Sequence, residues 1–343
     1  MKDSIKSLLQ DYQVRKTVKQ KEGFIHWLET HSQRHGYELK YQDYRKKGKN
    51  IYVGNPETAE VFLTAHYDTP PNFFIPIFAG LNLFSFTLSQ LYLAGMLFLP
   101  VIILTALAGF AGWSYETTTF LTYTFLLLYG YQILAGLANK SNANDNTSGV
   151  AVLISLLEDL TPAQREKVCF VFFDEEEKGL VGAFAFKKEM AVNGRPLINF
   201  DCVANGRHLI FVAKKAFLES DLGRALEQAA AANPRMKIKK ALTNVYASDQ
   251  IIFDNSVGVA AMKKLPILGY CLVGIHSALD KKFDAANIEE ISEGIQTWLG
   301  KLEQLPPQTY AQKESKLINT KTISWALIAA GALIGFFIGW GNS

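Results

Sequence analysis

The stretch VFLTAHYDTPP, residues 61–71, decides how the rest of the chain is read. An apolar run, preceded by the turn signal NPET (55–58), ends in His66, passes one residue and reaches Asp68. That is the pattern of a buried strand with polar groups at its carboxyl end. Directly after it the sequence turns apolar: from Thr69 to Asn139, Glu116 is the single Asp, Glu, Lys, Arg or His. A bilayer core needs about 20 apolar residues in a helix. Residues 117–137 match one such span. Residues 73–113 are nearly twice as long and contain Pro76, Pro100 and glycines at 80, 95, 109 and 112, so they read as an interfacial or re-entrant lead-in followed by a span.

Beyond Lys140 the composition becomes that of a soluble α/β domain. GVAVLISLLEDL (149–160) is helical in period, and KVCFVFFDEEE (167–177) is a strand running into acids. PLINFD, HLIFVA, GVAAMKKL and ILGYCLVG read as strands, and SDLGRALEQAAAA and NIEEISEGIQTWLGKLEQL as helices. Strands alternating with helices predict a mostly parallel, mixed sheet flanked by helices on both faces. Residues 1–48 read as two polar amphipathic helices and a basic turn, RKKGKN. The expected organisation is a catalytic domain over 1–72 and 138–305, an inserted transmembrane hairpin over 73–137, a polar linker over 306–321 and a C-terminal transmembrane helix over 322–340. In that last helix Gly331, Gly335 and Gly339 stand four apart, a face suited to homodimerisation or to docking on the hairpin.

A net charge of +3 and the absence of a basic tract interleaved with aromatics exclude nucleic acid as the expected partner. Cys169, Cys202 and Cys271 are few and widely spaced, which fits buried thiols in a reducing compartment. The charged N-terminus lacks the apolar core of a secretory signal.

The soluble strands end on residues able to bind metal. These are His66, Asp145 in NANDNTSG, Glu176 and Glu177 in FFDEEEKG, Asp201 in INFD, and His276 in VGIH. In α/β sheets, ligands gather at the carboxyl ends of strands. Imidazoles with carboxylates suit zinc. Three carboxylates against two dications leave one positive charge, which a hydroxide would neutralise, so the charge balance favours two ions over one.

In this order and spacing the motifs resemble those of the M28 family of zinc aminopeptidases, over roughly residues 20–300 with the apolar insertion set aside. NDNTSGVAVL and EEKGLVGAFAF carry most of the likeness. The resemblance implies a zinc-exopeptidase (phosphorylase/hydrolase-like) fold and two zinc ions. His66 and Asp201 would bind one, Glu177 and His276 the other, and Asp145 both. Asp68 would orient the ring of His66, and Glu176 would be the general base. Gly179 selects 176 and 177 from the acid run, leaving Asp174 and Glu175 as a solvated acidic turn. Tyr246 stands where some members place a tyrosine that binds the oxyanion, although Gln250 occupies a position often held by histidine. His26, His35 and His208 lack comparable context.

His66 and Asp145 must meet at one ion, so both ends of the insertion lie on one side of the bilayer and the number of crossings is even. Lys140, Lys313, Lys316 and Lys321 flank the domain side, whereas the tip SYETTT has no Lys or Arg. This places the catalytic domain in the cytoplasm and the C-terminus outside, with three spans in all. The expected activity is removal of N-terminal residues from peptides, apolar or membrane-proximal ones in particular. Two other readings are an inactive membrane scaffold on the same fold and a hydrolase of lipid-like N-acyl amides.

Overall fold

A computed structural model of the chain describes residues 1–304 other than 74, 191 and 193. The strands are β1 (Leu39–Tyr44), β2 (Gly48–Val53), β3 (Val61–His66), β4 (Ile77–Gly80), β5 (Val168–Phe173), β6 (Leu197–Phe200), β7 (His208–Ala213), β8 (Met236–Lys240), β9 (Ser256–Leu265) and β10 (Gly269–Ile275). They form a ten-stranded sheet in the order β1-β2-β5-β3-β6-β9-β10-β4, with β7 pairing β9 and β8 pairing β7.

The centre is parallel, β5 with β3, β3 with β6 and β6 with β9. The margins are antiparallel, β1 with β2, β2 with β5, β9 with β10 and β10 with β4. The expectation of a mostly parallel sheet is therefore corrected to a parallel core with antiparallel flanks, apart from β8, which pairs parallel with β7. The flanking strands were harder to read because they carry charge. LKYQDY and MKIKK are polar strands that appear as loop or turn in a search for apolar runs, and such charge is how margin strands resist pairing with other chains.

The central strands are buried on both faces, and side-chain alternation divides them between two layers. Val61, Leu63 and Ala65 pack with Phe24, Val150, Ile154 and Trp298 from the helices Val18–Arg34, Thr147–Asp159 and Ala285–Leu302. Phe62 points the other way, onto Phe186 of the helix Val181–Glu189 with ring centroids 5.2 Å apart. Cys169, Cys202 and Cys271 are buried free thiols.

The insertion is a pair of helices, Leu83–Phe110 and Tyr115–Ala135, capped at their starts by Asn82 and Ser114. Its two feet are tied together. Asn72 N–H donates to Leu137 O (2.8 Å), Asn139 N–H to Pro70 O (2.9 Å), and the Gln132 side chain to Asn72 O (2.9 Å). Two expectations change here. Ile77–Gly80, read as part of an interfacial lead-in, is a strand on the sheet margin beside β10. And among the described residues one helix, Leu83–Phe110, is long and apolar enough to cross a membrane. Tyr115–Ala135 falls short because Thr117, Thr118, Thr119, Thr122, Thr124, Gln132 and its tyrosines dilute the leucines. The expected third span, its glycine face and the linker lie outside the described residues, so three crossings and an external C-terminus are not supported.

Close packing of backbone on backbone fixes the helix that follows Asp145. A Cβ on Gly149 would lie 2.2 Å from the carbonyl oxygen of Phe200 at the end of β6. Gly149→Ala is expected to cost about 1–3 kcal/mol of stability through overpacking. The measurement is the thermal midpoint in detergent, and an unchanged midpoint would mean the helix retreats freely.

Candidate metal centre

Three adjacent parallel strands end together. His66 is the last residue of β3, Asp201 directly follows β6, and the turn after β5 carries Glu176 and Glu177. His276 follows β10 from the antiparallel flank, and Asp145 precedes the helix Thr147–Asp159. The structure brings five of the expected residues into two groups that share one member: His66, Asp145 and Asp201, and Asp145, Glu177 and His276. Asp145 Oδ1 lies 3.4 Å from His66 Nε2, and its Oδ2 lies 3.1 Å from His276 Nε2. His66 Nε2 is 3.6 Å from Asp201 Oδ1, and His276 Nε2 is 3.5 Å from Glu177 Oε2.

The NANDNTSG turn explains how Asp145 is held. Asp280 accepts the backbone N–H groups of Asn144 (3.2 Å) and Asp145 (2.9 Å). Asn144 Oδ1 accepts from Ala204 and Asn205, at 2.8 and 3.0 Å. Asn146 donates to Phe200 O (2.9 Å) and accepts from Gly149 N–H (2.9 Å). Each asparagine thus ties the turn to the segment around Asp201. Repulsion from the nearby Asp145, added to the larger effect of burial, raises the Asp280 carboxyl to about 8.

Asp68 does more than face His66 Nδ1 at 3.4 Å. Its two oxygens accept the N–H groups of Glu176 (3.1 Å) and Glu177 (3.3 Å), so it also sets the turn that presents both glutamates. Four non-glycine residues around the site, Glu175, Leu180, Cys202 and His276, have positive φ (58°, 60°, 55° and 55°). Such backbone strain collects where side chains must be aimed.

The donor set fits hard or borderline cations. Glu177 Oε1 and Asp201 Oδ1 are buried without a hydrogen-bond partner, as the free lone pairs of metal ligands would be. Burial raises Glu177 well above the ordinary carboxylate range, and Asp145 and Glu176 add to it. Asp145 runs the other way: burial works against its charge, yet His276 and His66 hold it well below the usual range. Acids outnumber imidazoles in this confined space, which a pair of dications would balance.

A model of peptidase family M28 matches residues 131–292. That segment, just under half of the chain, resembles peptidase family M28. It contains Asp145, Glu176, Glu177, Asp201 and His276, while His66 and Asp68 lie upstream. No curated protein matches the chain. Solved structures with this fold include a glutaminyl cyclase of Porphyromonas gingivalis, 16% identical, TM-score 0.55, covering 88% of this chain and 98% of that one. A Zn-dependent exopeptidase of Parabacteroides distasonis is 13% identical, with a TM-score of 0.55 and coverage of 86% and 94%. A leucine aminopeptidase precursor of Bacteroides thetaiotaomicron is 14% identical, with a TM-score of 0.52 and coverage of 86% and 93%. At these identities the likeness is one of fold. Together with the M28 match it supports a zinc-dependent hydrolase.

Four further residues of the matched segment depart from the sequence reading. Tyr246 is buried, and its hydroxyl donates to the backbone carbonyl of Asp201 at 2.9 Å, so its proton braces a strand end. Asp174 and Glu175 are not a solvated turn: Asp174 is fully buried and holds Lys21, and Glu175 pairs with Lys178. Asp249 was passed over. It is fully buried, neither carboxylate oxygen has a hydrogen-bond partner, and burial raises it well above the usual range. The sequence carries a signal: SDQIIF puts one acid beside an apolar triplet, seven positions before β9 begins at Ser256. Burial also raises Glu176 well above the ordinary range; His66 opposes, while Asp249, Asp201 and Asp68 reinforce. Away from this site, His31, His35 and Glu158 also cluster, with His31 Nε2 2.9 Å from Glu158 Oε1.

Asp68→Ala would leave the N–H groups of Glu176 and Glu177 without their acceptor. The variant is expected to fold but to bind zinc about 10–100-fold more weakly, measured by competition with a chromogenic chelator. Unchanged affinity would mean that Asp68 does not hold the turn.

Proposed function

We propose that this chain is a membrane-anchored aminopeptidase that works with two zinc ions. His66 and Asp201 would hold one ion, Glu177 and His276 the other, and Asp145 both. The observation that carries this reading is the shared carboxylate, one oxygen 3.4 Å from His66 Nε2 and the other 3.1 Å from His276 Nε2. Zinc held there supplies a Lewis acid for the scissile carbonyl and lowers the pKa of water to about 7.

The chain's own residues then move the proton. Glu176 sits beside the ligand Glu177, its backbone fixed by Asp68 and its proton affinity raised by burial. A carboxylate so placed can take a proton from the attacking water and give it to the leaving amine. Asp68 orients His66, and Tyr246 fixes the main chain of Asp201. The full complement of ligands and Glu176 argues against an inactive scaffold. Cleavage of N-acyl amides, and the cyclase activity named for the neighbours, are separated from aminopeptidase activity by substrate panel.

The membrane part of the proposal rests on the helical insertion. At 28 residues, Leu83–Phe110 reaches about 42 Å at 1.5 Å per residue, beyond the roughly 30 Å of a bilayer core. It exposes Leu83, Leu91, Ile102, Leu107 and Phe110, and its partner exposes Phe120, Leu127 and Leu128. So long an apolar exterior is costly in water and at home in lipid. The hairpin tip has no Lys or Arg, while Lys140 and other lysines lie at its foot, a distribution that supports a cytoplasmic catalytic domain.

The purified protein in detergent is expected to carry two zinc ions per chain by elemental analysis and to release N-terminal residues from apolar peptides. Glu176→Gln is expected to keep its metal and lose at least about 100-fold in turnover, the weight of a general base. Full activity in that variant would refute the mechanism. Turnover confined to N-acyl amides or N-terminal glutamine would refute the substrate class.

A further inference from the structure

Two cavities open on either side of Glu177. The smaller, about 140 Å³, is bounded by the metal-centre residues together with Tyr246, Met262 and Leu272, and by Phe86 and Gln90 from the first apolar helix. The larger, about 460 Å³, has Asp68 and Glu177 in one wall, Lys16, Lys21 and Lys178 in another, and Gln132 and Leu137 at the hairpin foot. A substrate cleaved at the metal centre would put the residue it loses into the small, largely apolar cavity. The remainder would lie in the wider, basic one.

The three lysines are not equivalent. Lys21 is paired with the buried Asp174, and Lys178 Nζ lies 2.6 Å from Glu175 Oε1. Among the described residues Lys16 has no acid within ion-pair distance, although its side chain is only partly exposed. Of the acids nearest to it across the cavity, Asp68 holds the N–H groups of Glu176 and Glu177, and Glu177 faces His276 through Oε2. The helix Val18–Arg34 begins at Thr17 in the same wall, so its positive end adds to the ammonium. Dications bound beyond Asp68 and Glu177 would make the cavity more positive still. A half-buried cation so placed recovers its lost hydration only by meeting an anion.

We propose that Lys16 receives a carboxylate on the leaving side of the substrate, so that the enzyme selects short peptides whose free C-terminus lies within reach of the metal centre. The proposal rests on the aminopeptidase reading and adds its substrate class: di- and tripeptides with an apolar first residue and an ionised C-terminus. Lys16 acts as a specificity residue and takes no part in bond cleavage.

The test uses full-length, zinc-loaded protein in neutral detergent. Binding of an apolar dipeptide and of its C-terminal amide is measured by calorimetry on Glu176→Gln, which does not consume them. The acid is expected to bind about tenfold more tightly than the amide, the weight of a charge-assisted hydrogen bond. Adding Lys16→Gln should collapse that ratio towards one, and Lys16→Arg should preserve it, which separates lost charge from lost folding. Equal binding of acid and amide, or a ratio untouched by Lys16→Gln, would overturn the proposal. So would a variant whose only loss is binding to anionic phospholipid vesicles, since the lysine would then serve lipid phosphate. Wild-type turnover keeps the two readings apart. Cleavage of acid and amide alike with no difference in binding sinks only the role of Lys16, whereas cleavage of neither sinks the aminopeptidase reading.

Discussion

The organisation of this chain follows from one carboxylate that must touch two imidazoles. Asp145 reaches His66 from one oxygen and His276 from the other, and the two histidines end strands from different parts of the sheet, one central and parallel, one on the antiparallel flank. A side chain as short as aspartate has little reach, so its backbone must be placed closely. Asp280, Asn144 and Asn146 do this with hydrogen bonds to main-chain groups of the segments that carry the ligands. The polar turn is expensive to bury unless every group is paired, and here the pairing also positions the ligand.

That constraint explains how so large an insertion is tolerated. About seventy residues separate Thr69 from Asn139, yet the chain leaves and returns at nearly one point. Pro71 and Ala138 bridge, Asn72 pairs with Leu137, and Asn142 donates to Thr69 Oγ1 at 3.0 Å. The same feet touch the metal centre: Phe73 N–H donates to His276 O, and Asn139 donates to Ser277 O. The base is closed by these bonds, so the geometry at Asp145 does not depend on what lies beyond it.

The candidate ligand positions are legible in the sequence because His66, Asp201 and His276 stand where apolar strands stop, Glu177 lies in the acid run after another, and Asp145 opens a helix. The supports are not. Asp280 lies in a loop with no apolar frame, and its importance comes from two N–H groups 135 and 136 residues away in sequence. Asp68 was read as a partner for one histidine, while its bonds to the glutamate turn require knowing that β3 and β5 are neighbours. Tyr246 was read from its position towards an oxyanion, yet the nearest acceptor is a backbone carbonyl that no sequence pattern announces. The edge strands β1 and β8 are hard to read for the opposite reason. Their charge suits an edge and hides them from a search for hydrophobic runs.

The apolar insertion is also built into the domain it leaves. The strand β4, which leads into it, is part of the sheet margin, and Asn82 caps the helix that follows immediately. Asn82 further donates to Leu268 O, fastening the helix start to the β9–β10 turn. With no slack between sheet and helix, the first turns of Leu83–Phe110 are held against the domain, and Phe86 and Gln90 become wall residues of the small catalytic cavity. Tilting that helix would move this wall while leaving Asp145 and its histidines in place. The small-cavity wall is therefore mechanically linked to the long apolar helix, whereas Asp145 and its two histidines are insulated from it by the closed base of the insertion.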